Sequence, residues 1–361
     1  MRRDATRLDH SLNFLSRRTF FRTAAVAAVG ATLARPSIAA DAAPNAPGKS
    51  PIRNEQPGMT YRKLGRTDII SSRLVFGCGA ALAGGKGVRL LERAFEAGIN
   101  HYDVGSNVSY KGSEQALAPF MKAHRDAIWV ISKAPARSGA KPEEPVTVEQ
   151  AAAAASGWAQ LLDASLKDLD AAHVDAYYLM GVNNPSLVRS EEIRSAFLKA
   201  KEAGKVSYFG LSAHHNTQQV LDAAIQTGWY DLAMIGITPA GWYDWDTKDL
   251  AEGTPKLTEL ESLLQRAREA GIGLIGMKAA RHLAPKLTAL GKGDLTAFDK
   301  VYSEEVLACP LNPFQRSYGY VLHHGLDVVN ADMQNLTHLE ENIVAATFVL
   351  PEAAPAAPGK A

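Results

Sequence analysis

Three side chains that could act together on a carbonyl group lie at or near the ends of short apolar runs. Asp103 and Lys133 each close such a run, and Tyr110 lies seven residues after Asp103. A carboxylate and an ammonium on neighbouring strands can form a buried ion pair, and the lysine charge can lower the pKa of a third group. A tyrosine in that position is a workable general acid toward a carbonyl oxygen. The spacing also allows a purely structural ion pair, with Tyr110 on the surface.

The elements that must position these side chains follow an alternating pattern. Eight short apolar runs are predicted to be strands buried on both faces, as in a parallel sheet. They are Arg73–Gly77, Ile99–Asp103, Ala127–Lys133, Val174–Met180, Val206–Leu211, Asp231–Ile237, Ile272–Met277 and Leu326–Asn330. The gaps hold helical patterns with apolar residues three and four apart. These are Gly87–Ala97, Glu114–His124, Val148–Leu169, Ser190–Ala203, Thr217–Thr227 and Leu257–Ala270.

This alternation predicts an α/β fold, a (β/α)8 TIM barrel with a short N-terminal β-hairpin. Segments Thr60–Leu64 and Ile69–Ser72 form the hairpin, which could plug the bottom of the barrel. The rival architecture is an open doubly wound sheet, which needs a glycine-rich dinucleotide fingerprint after its first strand. Phe76 to Ala80 has the wrong spacing for it. In a barrel, chemistry lies at the C-terminal ends of the strands. Those ends carry Asp103, Lys133, Met180 and Ser212, the last followed by His214 and His215.

The first 42 residues are typical of a twin-arginine export signal. Arg17 and Arg18 precede a weakly apolar run, Ala24–Leu33, that is too short to span a bilayer. Small residues near Ala39 and Ala42 suit a signal peptidase. Export through the twin-arginine translocation machinery would place the mature protein in the periplasm. The remaining chain is predicted to be a flexible linker at 43–58, a barrel at 59–350 and a disordered tail at 351–361.

Charge and cysteine content exclude several classes of partner. The chain has a net charge of +1, but residues 1–39 hold seven Arg and two Asp, so the body is mildly acidic. An acidic body argues against nucleic-acid binding. Cys78 and Cys309 offer no Cys-x-x-Cys motif, so no metal site is predicted. They could pair after export, or be a core residue and a loop thiol. No further segment is predicted to insert in a membrane.

The chain resembles the aldo/keto reductase family over residues 59–349. The resemblance is carried by Thr60–Thr67 with Phe76-Gly77, Ala94–Asp103 with Tyr110–Glu114, Leu166–Leu169 with Val174–Leu179, Gly204–Ser212, and Met333–Asn342. It implies NADP(H)-dependent reduction of a small aldehyde or ketone in a (β/α)8 barrel.

The resemblance also implies roles for single residues. Tyr110 would donate the proton, and Asp103 and Lys133 would tune it. Ser212 would hold the nicotinamide amide, and Lys278 could meet a phosphate. The segment implied to hold the adenosine end contains Gln334, Asn335, Glu341 and Asn342.

Several departures from the family put its activity in doubt. Met180 stands where the family has a histidine, and a thioether cannot donate a hydrogen bond. Ile237 takes the place of an aromatic residue that stacks on nicotinamide, and Asp332 takes the place of a glycine. Cofactor binding is therefore expected to be weakened or lost. The alternative function is a catalytically degenerate barrel that binds a ligand or cofactor.

Two further groups of residues allow more than one interpretation. His214 or His215 could replace the missing donor, or be satisfied by backbone groups in a loop or the core. Trp242, Tyr243 and Trp245 could form an aromatic substrate wall after the sixth strand, or a small satellite core.

Overall fold

The computed structural model describes residues 51–284 and 293–351. The predicted signal at 1–42, the first half of the linker, and all but the first residue of the tail lie outside these residues.

In the described residues, eight parallel strands close into a ring, and four further strands lie outside it. The ring runs in the order β3, β4, β5, β6, β7, β8, β11, β12 and back to β3. The strands are β1 Tyr61–Lys63, β2 Ile70–Ser72, β3 Leu74–Gly77, β4 His101–Asp103, β5 Trp129–Ala134, β6 Val174–Leu179, β7 Val206–Ala213, β8 Leu232–Thr238, β9 Gly241–Asp244, β10 Asp249–Leu250, β11 Gly273–Met277 and β12 Val328–Ala331. The predicted barrel is confirmed.

Helices surround the ring and connect its strands. They are α1 Cys78–Leu82, α2 Val88–Glu96, α3 Asn107–Tyr110, α4 Ser113–His124, α5 Val148–Asp168, α6 Pro185–Val188, α7 Glu191–Glu202, α8 Thr217–Thr227, α9 Glu261–Glu269, α10 Glu304–Ala308, α11 Pro313–His323 and α12 Leu336–Thr347. Capping residues in the sequence determine where several of these helices begin. Thr147 and Gln150, for example, form a reciprocal capping box at the start of α5. Among the described residues, no helix is long and apolar enough to cross a membrane.

Strand alternation separates an inner core from an outer one. The outer cluster lies between the ring and its helices. The inner cluster fills the barrel and consists of Leu64, Ile69, Val75, Trp129, Ile131, Ala176, Tyr178, Leu232, Met234, Ile275, Met277 and Val328. The antiparallel hairpin β1–β2 contributes to it, because Leu64 and Ile69 are fully buried between its strands and the bottom of the ring. The predicted plug is therefore present.

Two parts of the structure differ from the sequence prediction. Residues 53–56, assigned above to the linker, bond to the barrel: Arg53 donates to the carbonyl of Ile128, and Asn54 donates to those of Phe95 and Ile99. The packed body therefore begins before residue 59. In addition, β8 continues into an antiparallel extension, β9 and β10, which the sequence pattern did not predict.

Candidate active site

Asp103 and Lys133 form a buried ion pair at the C-terminal mouth of the barrel. β4 and β5 are neighbours, and each residue is 2% exposed. The Lys133 ammonium lies 2.6 Å from Oδ1 and 2.5 Å from Oδ2 of Asp103, and it also donates to the carbonyl of Val104 at 2.9 Å. All three donor positions of the ammonium are therefore occupied, which suits a charged lysine in a desolvated site.

Tyr110 reaches the same place, although seven positions separate it from Asp103 in the sequence. The loop after β4 is held to β5 because Val104 and Ser106 donate backbone hydrogen bonds to Ile131 and Lys133. The short helix α3 then turns the tyrosine ring inward. Its centroid lies 5.0 Å from the Lys133 ammonium.

Two glycines make room for the Tyr110 ring. A Cβ on Gly79 would lie 2.7 Å from the ring, and a Cβ on Gly105 would lie 3.0 Å from it. Both distances are too short for a side chain to be added without moving the ring. The position of Tyr110 thus depends on two glycines, which have no reactive side chain.

The pKa directions follow from burial and from the ion pair. Burial lowers the pKa of Lys133, but Asp103 and Tyr110 raise it more, so the ammonium stays charged. Burial raises the pKa of Tyr110, and the charge of Lys133 offsets part of that rise. The expectation that the charge of Lys133 lowers the pKa of Tyr110 is right in sign, but burial raises that pKa by more. Tyr110 is therefore protonated at neutral pH, as a proton donor must be.

Asn330 forms a hydrogen bond with the carboxylate of the ion pair, and it was not identified from the sequence. It is the third of the four residues of β12, and its Nδ2 donates to Oδ2 of Asp103 at 2.7 Å. The neighbouring strand β3 ends in Gly77, where a Cβ would lie 2.5 Å from Oδ1 of Asn330. The sequence did hold one indication of this role, because Asn330 is the last residue of the predicted eighth strand.

Met180 and Ser212 lie at the same mouth. Met180 follows β6 directly and continues the inward-facing positions of Ala176 and Tyr178. Its backbone N–H donates to Ala134 at 2.9 Å, which extends the ladder by one residue. Ser212 is nearly buried in β7, and its Oγ accepts from the N–H of Gly181 at 3.0 Å. Its own hydroxyl hydrogen can still be donated to a ligand.

The two histidines after β7 have different surroundings. His214 packs across β8, where a Cβ on Gly236 would lie 2.7 Å from the His214 Cβ. Burial and the nearby Lys278 and Lys248 lower the pKa of His214 to about 4, so its imidazole is neutral. His215 instead lies 3.0 Å from Oδ2 of Asp244.

The aromatic residues that follow β8 differ in their exposure to solvent. Trp242 and Tyr243 are buried, as in a satellite core, whereas Trp245 is 38% exposed and lies 5.3 Å from the His214 ring. Ile237 is buried in the outer cluster, because Leu232 and Met234 set the inward-facing positions of β8. It therefore faces the helices and cannot stack on a ligand in the mouth.

Comparisons with known proteins identify the family of the chain. The sequence profile described as the aldo/keto reductase family matches residues 79–279, which is more than half of the chain. The chain belongs to the aldo/keto reductase family.

Solved aldo/keto reductases have the same fold. An aldo-keto reductase AKR11C1 from Bacillus halodurans in its holo form is 19% identical, with a TM-score of 0.58 over 83% of this chain and 93% of that chain. A thermostable aldo-keto reductase, Tm1743, in complex with the inhibitor epalrestat is 20% identical, with a TM-score of 0.57 over 81% of this chain and 96% of that one. At these identities the likeness concerns the fold alone.

The segment that aldo/keto reductases are implied to use for the adenosine end is only partly accessible here. Asn342 is buried and donates to the carbonyl of Asp332 at 3.0 Å, and Asn335 caps α12 by accepting from the N–H of His338. Glu341 is partly exposed. Gln334 is exposed, but its amide already donates to Asp332 at 2.8 Å. The structure therefore gives Asn335 and Asn342 structural contacts of their own.

The described residues also include two cysteines and one group of possible metal ligands. Cys78 and Cys309 are free thiols, the first of them buried. His215, Asp244 and Asp246 place ligand atoms within 4.8 Å of one another at the rim, although no metal site was predicted. Oδ1 of Asp244 already accepts from the N–H groups of Asp246 and Thr247, which accounts for the shape of this loop.

Proposed function

We propose that this aldo/keto reductase is an exported enzyme that reduces a small aldehyde or ketone with NADP(H). One observation carries the proposal: Asp103, Lys133 and Tyr110 converge at the C-terminal mouth of the barrel. In a TIM barrel that mouth is where chemistry occurs.

Each residue of the group has a distinct task. Tyr110 is protonated and donates its phenolic proton to the carbonyl oxygen as that oxygen gains negative charge. The Lys133 ammonium, 5.0 Å from the ring, stabilises the tyrosinate that remains. Asp103 holds the ammonium in place, so that its charge is fixed before the reaction begins.

The residues at the mouth fit a pyridine dinucleotide. Bound there, it would supply the hydride. Ser212 can donate its hydroxyl hydrogen to a carboxamide, and the Lys278 ammonium is a cation available to a phosphate. The adenosine segment is less favourable, because residues 331–342 contain Asp332, Glu340 and Glu341 but no Lys or Arg. A carboxylate suits a ribose hydroxyl but repels a 2′-phosphate, so weakened NADPH binding is part of the proposal.

Export is supported by the twin-arginine pattern of residues 1–42, which lie outside the described structure. Replacing both Arg17 and Arg18 by lysine should keep the protein in the cytoplasm, as cell fractionation would show. Normal periplasmic levels of the double variant would contradict export by this route.

The catalytic assignment is tested by steady-state NADPH oxidation with a panel of small aldehydes. Tyr110→Phe should lower the rate by a factor of roughly 10² to 10⁴, the usual contribution of a general acid. Tyr208→Phe is the matched control, since the Tyr208 hydroxyl contacts Asp68 in the hairpin at the bottom of the barrel. A Tyr110→Phe variant as active as the parent protein would overturn the assignment.

A second candidate is a catalytically degenerate barrel that binds a ligand or cofactor. Met180 favours it, because it places a thioether at the mouth where a hydrogen-bond donor is expected. A protein that copurifies with a dinucleotide after cytoplasmic expression, yet reduces no carbonyl compound, would fit this candidate.

A further inference from the structure

A buried carboxyl group connects the helix that follows Tyr110 to the strand that carries Lys133. Glu114 is the second residue of α4 and is fully buried, and its Oε1 accepts from the hydroxyl of Ser132 at 2.7 Å. Ser132 precedes Lys133 in β5, and strand alternation turns Ser132 outward toward the helices while Lys133 faces the mouth. One hydrogen bond thus joins α4 to the strand position next to the ion pair.

The same end of α4 also holds Tyr110. Ser113, the first residue of the helix, is fully buried, and its hydroxyl donates to the carbonyl oxygen of Tyr110 at 2.6 Å. Only Lys111 and Gly112 lie between them, and both have positive φ, +24° and +82°. A residue other than glycine keeps such a conformation only where the surrounding structure holds it. The path from Glu114 to the tyrosine ring is therefore short and conformationally fixed.

Packing alone does not account for a carboxyl group at position 114. Among the described residues, Oε2 of Glu114 is buried without a hydrogen-bond partner, and so are the hydroxyl groups of Ser165 and Tyr177 in the same part of the core. Burial raises the pKa of Glu114, and the hydrogen bond from Ser132 offsets only part of that rise. An unpaired buried polar atom costs free energy that an apolar side chain of similar size would not cost. The hydrogen bond that the carboxyl group does make leads to Ser132, beside Lys133.

We propose that Glu114 is a positioning residue: acting through Ser132 on one side and through the first turn of α4 on the other, it fixes the separation between the Tyr110 ring and the Lys133 ammonium. Glu114 acts through these neighbours, since Ser132 faces the outer layer rather than the mouth. The inference rests on the proposed function, because the separation matters for catalysis only if Tyr110 donates its proton beside Lys133.

The separation affects the acidity of Tyr110. Burial raises the pKa of Tyr110, the charge of Lys133 lowers it, and Asp103 and the Cys78 thiol raise it by smaller amounts. These ionisable groups face the tyrosine from β5, β4 and α1. A Coulomb interaction weakens with distance, so a ring that moves away from Lys133 becomes less acidic. Loss of the Glu114 hydrogen bond should therefore slow the reaction and move the alkaline limb of its pH profile to higher pH, because Tyr110 must be protonated to act.

Steady-state carbonyl reduction across pH tests this role with four variants. Glu114→Met keeps most of the bulk but removes the acceptor, and Ser132→Ala removes the donor without changing α4. Each should lower kcat by roughly tenfold or more, leave KM for the aldehyde nearly unchanged and raise the pKa of the alkaline limb. Glu114→Gln keeps an acceptor for Ser132 and should behave as the parent protein does. Tyr230→Phe is the matched control: it removes a buried hydrogen bond of the outer core, donated to the carbonyl of Val188 at 2.9 Å, and should leave the pH profile unchanged.

A titration that needs no turnover separates this inference from the proposed function. The ultraviolet absorbance of tyrosinate, taken as the difference between each protein and the same protein with Tyr110→Phe, gives the pKa of Tyr110. A higher pKa in Glu114→Met and Ser132→Ala than in the parent, in a protein that reduces no carbonyl compound, would support the positioning of Tyr110 and contradict the proposed function. An unchanged Tyr110 pKa in both variants, or a Glu114→Gln variant as impaired as Glu114→Met, would overturn the positioning role even in an active reductase.

Discussion

Asn330 donates a 2.7 Å hydrogen bond to Oδ2 of Asp103 across the mouth of the barrel. The last strand of the ring thereby braces a carboxylate that the ion pair with Lys133 already holds. Closure of the ring brings the two residues together although they lie 227 positions apart. Asp103 is consequently fixed from two sides.

Two substitutions of Asn330 test whether its hydrogen bond to Asp103, rather than packing alone, stabilises the site. Asn330→Ala should lower the free energy of unfolding by about 1–2 kcal/mol, because a partly buried hydrogen bond to a charged group is lost. Asn330→Asp puts a second carboxylate beside Asp103, which raises the pKa of that pair in the folded state. Its destabilisation should therefore be largest at neutral pH and diminish as the pH falls and the pair takes up a proton. Urea unfolding across pH measures both effects, and a pH-independent Asn330→Asp variant as stable as the parent would contradict the brace.

Gly79 tests the packing of Tyr110. The Cβ of Gly79→Ala would lie 2.7 Å from the tyrosine ring, so the ring must leave its present position beside Lys133. We expect a fall in the rate of carbonyl reduction of roughly tenfold or more, since small displacements of a catalytic group are costly. Gly157→Ala in α5 is the matched control: its Cβ would meet nothing within 4 Å, and it should raise helix stability by up to about 1 kcal/mol without affecting the rate. Equal rates in the two variants would show that the Tyr110 position is not critical.

The sequence predicted the ion pair because both members close apolar runs on neighbouring parallel strands. It did not identify Asn330, because an amide carries no charge and its partner is distant along the chain. Ile237 was misassigned for a different reason. The side-chain period of a strand is two, so an error of one residue moves a side chain from the mouth to the outer layer. The conformation of the loop that carries Trp245 and Lys248 could not be predicted from the alternation of strands and helices. Its short strands pair only with β8 and with each other.

Lys278 is expected to reduce the stability of the ligand-free protein. Burial, with the charges of Arg281, Lys133 and Lys248, lowers its pKa from 10.5 to about 8, while Asp332 opposes the shift. Below pH 8 the folded protein carries an ammonium that it disfavours, so Lys278→Met should raise the free energy of unfolding by about 1–3 kcal/mol. The gain should shrink between pH 8 and pH 10.5, where the folded parent has lost a proton that the unfolded chain still holds.

The same experiment has an internal control. Lys63→Met removes an exposed lysine far from the mouth and should leave stability unchanged at every pH. Urea titrations of both variants at pH 7 and at pH 10.5 are sufficient. If Lys278→Met destabilises the protein at pH 7, the ammonium has a compensating partner, and its burial is not a cost.

Met180 offers the most direct test of whether catalysis has been weakened. It continues the inward positions of β6 at the mouth, and its backbone N–H is bonded to Ala134 at 2.9 Å, so a substitution should not move the strand. Met180→His would place a hydrogen-bond donor at the mouth, beside a bound carbonyl group. Imidazole and thioether side chains are similar in bulk, so the cost of repacking should be about 1–2 kcal/mol at most.

The expected gain in turnover of small aldehydes reaches the roughly hundredfold scale of a single preorganised donor. Steady-state NADPH oxidation by the parent and Met180→His proteins measures it, with Met180→Leu as a control for shape without a donor. A parent protein that already turns over at ordinary reductase rates would show that no histidine is needed at this position. If neither protein is active and neither binds NADPH in a titration, the acidic segment around Asp332 rather than Met180 limits the reaction, and the degenerate binding barrel becomes the better account.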